Sequence, residues 1–199
     1  MAALVRLPLF LLVLILGGCS GMKLEDFANT QPVFRPETYF AGKTRAWGFF
    51  QDRFGNIRRE FTVDIVGTFE NDVLTLDEQF VYADGERDTR VWTIRKLDDS
   101  RYEGEADDVV GTAHGRIAGK AMNWQYQFDL PVGSTMLRAT FDDWMFLQDD
   151  EVMLNRTTVS KFGFKLGEVV IFFRRLPDEQ TGSVVGSDAF AYLSQQAAE

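Results

Sequence analysis

The chain has one cysteine, one histidine and five prolines in 199 residues, and no apolar run long enough to cross a bilayer as a helix. Each scarcity removes a class of function. Cys19 and His114 together cannot supply the three or four ligands of an ordinary zinc site. Cys19 has no second cysteine to pair with, so no intrachain disulfide can brace the fold. A Ser-His-Asp triad would have to run through His114, which lies in the glycine-punctuated stretch GTAHGRIAGK without a nucleophile-elbow motif. Its alternation with Arg116 predicts a solvent-facing side chain. GRIAGKA also fails as a phosphate loop: only three residues separate its glycines, and Ala121 stands where Ser or Thr would hold magnesium. Positive charge is scarce as well. With 21 Lys+Arg against 30 Asp+Glu the net charge is −9, which argues against nucleic acid and anionic lipid surfaces as partners of the chain as a whole. Neither Asp107-Asp108 nor Asp149-Asp150-Glu151 has the spaced oxygens and central glycine of a calcium loop. Nothing in the sequence calls for a cofactor.

What is present begins at the N-terminus, MAALVRLPLFLLVLILGGCSGM. The apolar core from Leu7 to Leu16 follows Arg6 and is about half the ~20 residues a spanning helix needs. A short apolar core behind a basic residue, ending in small residues, is the pattern of a secretory signal. Leu16-Gly17-Gly18-Cys19 then resembles the lipobox of bacterial lipoproteins. That resemblance implies cleavage after Gly18, a thioether-linked diacylglycerol on Cys19, and acylation of the new amine, palmitate being the expected label. Ser20, rather than Asp, resembles the signal for onward transfer to the outer membrane instead of retention at the inner one. The expected organisation is a lipoprotein signal peptide over 1–18, a lipidated tether over 19–37, a folded domain over 38–176, and a tail over 177–199. The expected location is the periplasmic side of the outer membrane, held by the lipid anchor.

After Thr38 no stretch keeps a helical period, and closely spaced strand signals follow one another instead. In IRREFTVDIVGTF, Ile57, Phe61, Val63 and Ile65 alternate with Arg58, Glu60, Thr62 and Asp64. AMNWQYQFDLPV places Met122, Trp124, Tyr126, Phe128 and Leu130 on one face. Asp84-Gly85 marks a hairpin turn between VLTLDEQFVY and RDTRVWTIRKL. Eight to ten antiparallel strands joined by short turns make a meander, and closing it removes the exposed edges. The predicted fold is all-β: a single up-and-down barrel. In the tail, Ser187 either caps a short helix over Asp188–Ala197 or precedes a segment without regular structure.

The stretches FxGxxxAWGxFxDRxG (Phe40 to Gly55), LDEQFVYADG, RVW, YEGEADDVVG and DDWMFLQDDEVMLNR resemble a family of proteobacterial lipoproteins known as domain of unknown function 3833. The resemblance covers about residues 30 to 176. It implies a lipid-anchored, lipocalin-like barrel, with Gly42 and Trp47 similar to the strand-A glycine and tryptophan of lipocalins, and it implies no particular activity.

Within the alternation one charge is out of register. Glu78 falls among Leu74, Leu76, Phe80 and Tyr82, and a short turn sets Arg90, Trp92 and Ile94 on the same inner face. A carboxylate and a guanidinium inside one barrel wall should pair, because either alone would be costly. Asp143, beside Phe141 and Met145, and Arg156, beside Leu154, extend the polar set. The candidate ligand-binding residues are therefore Glu78, Phe80, Arg90, Trp92, Trp124, Tyr126, Asp143 and Arg156. Three readings follow. The first is a lipid-anchored protein that binds a hydrophobic small molecule, such as a fatty acid or lipid, in the barrel. The second is a structural or assembly partner of an envelope complex, with a barrel filled by its own side chains. The third is a lipid-modifying enzyme that uses buried carboxylates.

Overall fold

The computed structural model of the chain describes residues 21–132 and 135–177. The expected signal peptide, Cys19 and the expected helix at Asp188–Ala197 lie outside the described residues. Ten antiparallel strands run in simple succession: β1 (Gly42–Asp52), β2 (Ile57–Glu70), β3 (Val73–Tyr82), β4 (Arg87–Lys96) and β5 (Arg101–Glu105). They continue as β6 (Val109–Ala118), β7 (Ala121–Val132), β8 (Thr135–Leu147), β9 (Val152–Lys161) and β10 (Phe164–Arg175). Each strand pairs with its sequence neighbour, and β1 also pairs with β10, so the sheet closes into a barrel with no free edge. The period-2 pattern read from the sequence is the inside–outside alternation of this wall. Tight turns suit the meander; the β2–β3 turn, for example, holds Asn71 and Asp72 in the left-handed region that these residues tolerate.

The two ends of the barrel differ. Residues 21–41, which include most of the tether expected over 19–37, pack onto the barrel and close one end. A 3-10 turn at Leu24–Phe27 lies on the outer face of β6 and β7, with Phe27 against Trp144 and Phe146. The chain then crosses this end of the barrel. The Phe34 amide donates to the Gly119 carbonyl (2.8 Å), and the Phe34 side chain is fully buried. Helix α1 (Pro36–Tyr39) opens with proline at its first turn, where the missing N–H costs nothing. Its Tyr39 hydroxyl donates to the Glu151 carbonyl. Glu37 receives Lys96 Nζ and the Tyr102 hydroxyl, each at 2.8 Å. Burial opposes ionisation of Glu37, but these donors win and hold its carboxyl below the ordinary value. Phe40 completes the closure edge-on to Phe173, and Gly67 makes the approach feasible, since a Cβ there would stand 1.9 Å from the Phe40 carbonyl oxygen.

Behind this closed end the inward side chains are packed out of solvent: Thr44, Ala46, Val63, Ile65, Leu74, Leu76, Tyr102, Met122 and Met153. Towards the other end, the mouth, the inward residues Phe50, Phe61, Phe80, Tyr82, Phe128 and Leu130 are only partly buried. The barrel is a solid half joined to a half-buried aromatic half, termed the funnel, whose side chains pack on one another and on the core.

Candidate functional site

The polar groups sit where the solid half meets the funnel. On β3 and β4, Glu78 and Arg90 are directly opposite each other in the sheet register. Arg90 Nη1 lies 3.9 Å from Glu78 Oε2, a loose contact. Its closer partner is Asp108 in the β5–β6 turn, reached by a fork of hydrogen bonds: Nε to Oδ1 (3.1 Å), Nε to Oδ2 (2.9 Å) and Nη2 to Oδ2 (2.7 Å). Such bidentate pairs are the strong, geometrically defined ones. The guanidinium also stands 5.5 Å from the Phe80 ring centre and 4.9 Å from that of Phe128, whose negative faces favour it. Burial works against its charge, but Glu78, Tyr126 and Asp108 hold Arg90 above its ordinary pKa.

Across the barrel, Asp143 on β8 is flanked by Asn155 and Thr157 on β9, all three buried. Asp143 Oδ1 is out of solvent and has no hydrogen-bond partner in the protein. Burial raises the pKa of Asp143 to about 7, helped by Asp142, while Thr157, Arg90 and Asn155 pull the other way. Glu78 is likewise raised to about 7, first by burial and then by Asp108 and Asp143, with Arg90 opposing. Tyr126 on β7 lies within the fields of Asp143, Arg90, Glu78 and Asp108, and burial lifts its hydroxyl well above the ordinary value. The polar layer thus holds three carboxyl groups for one guanidinium. Two of them are poised to take up or lose a proton near neutrality.

Aromatic side chains frame this layer. Trp124 fits against the wall because Gly104 and Gly115 lack side chains; Cβ atoms there would stand 2.7 and 2.4 Å from the indole. Trp92 meets Trp124 and Tyr126 edge-on at 5.7 and 5.4 Å between ring centres. Tyr126 stacks on Phe141, which also contacts Phe128. Seven of the eight residues expected from the sequence, Glu78, Phe80, Arg90, Trp92, Trp124, Tyr126 and Asp143, therefore share one interior.

Arg156 does not join them. It faces outward, well exposed, and bridges Glu168 on β10. The inner face of β9 is Met153, Asn155, Thr157 and Val159, so the neighbouring Leu154, which suggested the opposite, lies outside. There Leu154 stands in an apolar cross-strand row, Phe146–Leu154–Phe172–Trp47. An apolar groove beside this row, lined by Trp47, Phe49, Val81, Val170 and Phe172, encloses about 600 Å³ on the outer surface. His114 is outward and exposed, 3.6 Å from Glu103. Among the described residues, no three His, Cys, Asp or Glu side chains are disposed around a common metal position.

Asp108, Asn155 and Thr157 are the members of the site that sequence pattern did not indicate. A carboxylate in a two-aspartate turn reads as solvated, but the β4–β5 register, continued beyond Thr93 opposite Glu105, brings Asp108 opposite Arg90.

The chain matches the family described as Protein of unknown function (DUF3833) over residues 13–175, most of its length. No curated protein matches it. Among solved structures it is similar to an S-type phycobiliprotein lyase, CPES, from Guillardia theta, at 10% identity and TM-score 0.51, covering 71% of this chain and 90% of that one. It is also similar to Rv2717c from M. tuberculosis, at 12% identity and TM-score 0.54, covering 75% of this chain and all of the other. At such identities the likeness shows the fold, a lipocalin-like barrel. The chain belongs to the DUF3833 family.

Proposed function

We propose that this DUF3833 member binds a small hydrophobic molecule through the funnel, with a hydrogen-bond donor at the polar end of the ligand received by Asp143 and Glu78. The observation that carries the reading is the buried Asp143 Oδ1, an acceptor without a partner, facing an aromatic interior. A buried acceptor left unsatisfied costs about 1–3 kcal/mol, and a hydroxyl or amine would recover it. Ligand pockets typically combine apolar walls with a few placed polar groups, and the funnel and its floor have that composition.

The charge balance selects the head group. A fatty acid, the first ligand class suggested by the sequence, suits the walls but would bring a fourth carboxylate to a floor whose single guanidinium is already bidentate to Asp108. A long-chain alcohol or amine meets acceptors instead. An amine would also favour the ionised forms of Asp143 and Glu78. The cellular setting belongs to the same proposal: a protein held by lipid on Cys19 at the periplasmic side of the outer membrane, carrying its ligand close to the bilayer.

Binding of dodecylamine, dodecanol and dodecanoate, followed by quenching of Trp92 and Trp124 and by native mass spectrometry, tests the reading. The amine and alcohol should bind more tightly than the dodecanoate at pH 8, and Asp143→Leu should abolish the preference. Equal binding of all three, or binding unaffected by Asp143→Leu, would refute it. A protein that takes up none of them fits the second reading, an assembly partner whose Trp47–Phe172 outer groove meets another protein.

A further inference from the structure

The turns around the mouth are not alike. Three that neighbour one another in the barrel, β9–β10, β1–β2 and the flank of β7–β8, carry the most exposed large apolar side chains of the described residues. Phe162 is 89% exposed, Phe54 and Phe164 74%, and Met136 63%. Contact between β1 and β10 (the Arg53 amide donates to the Leu166 carbonyl) and between β8 and β9 makes the β9–β10 turn a neighbour of both the β1–β2 turn and the described flank of β8. Apolar tips this exposed do not stabilise the barrel.

Charge distinguishes the same edge. Although the chain carries a net −9, this part of the rim holds Arg53, Arg58, Arg138, Lys161 and Lys165. Its carboxylates are bridged: Asp52 to Arg58, Asp129 to Arg138, and Glu168 to Lys165. The Arg53 guanidinium lies 4.7 Å from the centre of the Phe54 ring, and Lys161 Nζ lies 5.2 Å from that of Phe162. The remaining turns of the mouth carry Asp84 and Asp88 beside Arg87 in and after β3–β4 and Asp107 in β5–β6, while Glu86 is bridged to Arg59 and Asp108 to Arg90. The rim is therefore half basic and aromatic, half weakly acidic.

The backbone of the β9–β10 turn adds a third observation. Phe162 and Gly163 both have positive φ, 51° and 81°, the two-residue hairpin turn that normally begins with Asn, Asp or Gly. A bulky aromatic in that conformation is an outlier. It persists here at the most exposed tip of the molecule, where no packing requires it.

We propose that this edge docks on the surface of a bilayer bearing anionic head groups, with Phe54, Phe162 and Phe164 inserted at the level of the head groups and Arg53 and Lys161 at the phosphates. Aromatic side chains favour the membrane interface, and basic residues there are attracted by the negative surface potential within about a Debye length. The overall acidity of the chain does not oppose this, because the weakly acidic half of the rim is turned away on the opposite side of the mouth. Docking in this way sets the funnel opening against the bilayer. It is a separate contact from any lipid on Cys19, and it does not require that the funnel bind a ligand.

All ten strands and the closing segment lie within residues 21–177, so residues 21–199 contain the complete barrel and can be tested without an anchor. Flotation with vesicles of phosphatidylcholine plus phosphatidylglycerol should recover the protein, and vesicles of phosphatidylcholine alone should recover much less. Replacing Arg53 and Lys161 by Gln should weaken partition to the anionic vesicles about fivefold for each charge removed. Phe54→Ser with Phe162→Ser and Phe164→Ser should lower it by at least about tenfold. Phe162→Asn gives the sharpest contrast: the turn conformation suits Asn, so the melting temperature should rise while vesicle binding falls. Absence of binding to anionic vesicles, or binding that survives the triple serine variant, overturns the proposal. So does a concentration-dependent dimer that the serines abolish while vesicle binding stays at background, because the edge would then be a contact between two copies of the chain.

Discussion

Asp143→Asn is expected to stabilise the protein by a margin that grows from about pH 4 to about pH 7. The carboxyl of Asp143 is raised from 3.8 to about 7, mainly by burial. Between those values the folded state binds a proton that the unfolded state has lost. Stability therefore falls as pH rises through this window and levels off above pH 7, the opposite of the usual carboxylate. A shift of roughly three units corresponds to about 4 kcal/mol at most. Asn keeps an oxygen for the Asn155 and Thr157 side and removes the charge, so about 2–4 kcal/mol should be gained at pH 8 and less than half of that at pH 5. Glu78, also raised to about 7, should leave the variant with roughly half of the wild-type slope. Asp52 and Asp98, lowered to about 2, titrate below the window and do not mask the effect. Urea unfolding of residues 21–199, followed by tryptophan fluorescence across pH 5 to 8.5, measures both slopes. A wild type whose stability rises over that range, or an Asp143→Asn variant less stable than the wild type at pH 8, would refute the reasoning.

Two further outcomes are expected. Phe34→Ala should cost about 3–5 kcal/mol, the range for large aromatic truncations at fully buried positions, in the same urea assay; a loss below about 1 kcal/mol would mean that residues 21–41 do not close the barrel. Cys19→Ser should abolish incorporation of labelled palmitate and leave an unprocessed precursor in membrane fractions; equal labelling of both chains would remove the lipid anchor from the proposal.

The barrel was legible because closely spaced strand signals follow one another and segments such as β2 alternate with a period of two, and Glu78 was legible because it breaks that period. Arg90 followed from the turn length, and the register places it opposite Glu78. The errors have a common physical origin in strands with no clean polar face. β9 buries Asn155 and Thr157 and exposes Leu154 at 42%, inverting the usual pattern. Its neighbours carry Phe146, Phe172 and Trp47 outside, so apolarity no longer marks the interior and Arg156 is assigned to the wrong face. Asp108 was missed for a different reason: it lies just past β5 in a turn that reads as solvated, and only the β4–β5 register, unknown from the sequence, puts it opposite Arg90. The closing segment around Phe34 has no period at all, because its side chains are buried one by one against a barrel end.

Thr44 Oγ1, behind the closed end, is buried without a hydrogen-bond partner, but the costlier features of this protein lie from mid-height to the rim. At the closed end every charge that enters the interior is answered, as Glu37 is by Lys96 and Tyr102. At mid-height two carboxyl groups are held near neutrality by burial, and one has an oxygen with no partner. At the rim an aromatic residue occupies a left-handed turn position with its ring in solvent. Together these cost several kcal/mol, a large fraction of the 5–15 kcal/mol by which domains of this kind are stable. A barrel serving only as a scaffold would gain by replacing Asp143 with Leu and Phe162 with Asn. Both costs lie on one route, from the surface turns through the aromatic funnel to its polar floor, which is where a molecule passing from a bilayer into the barrel would travel.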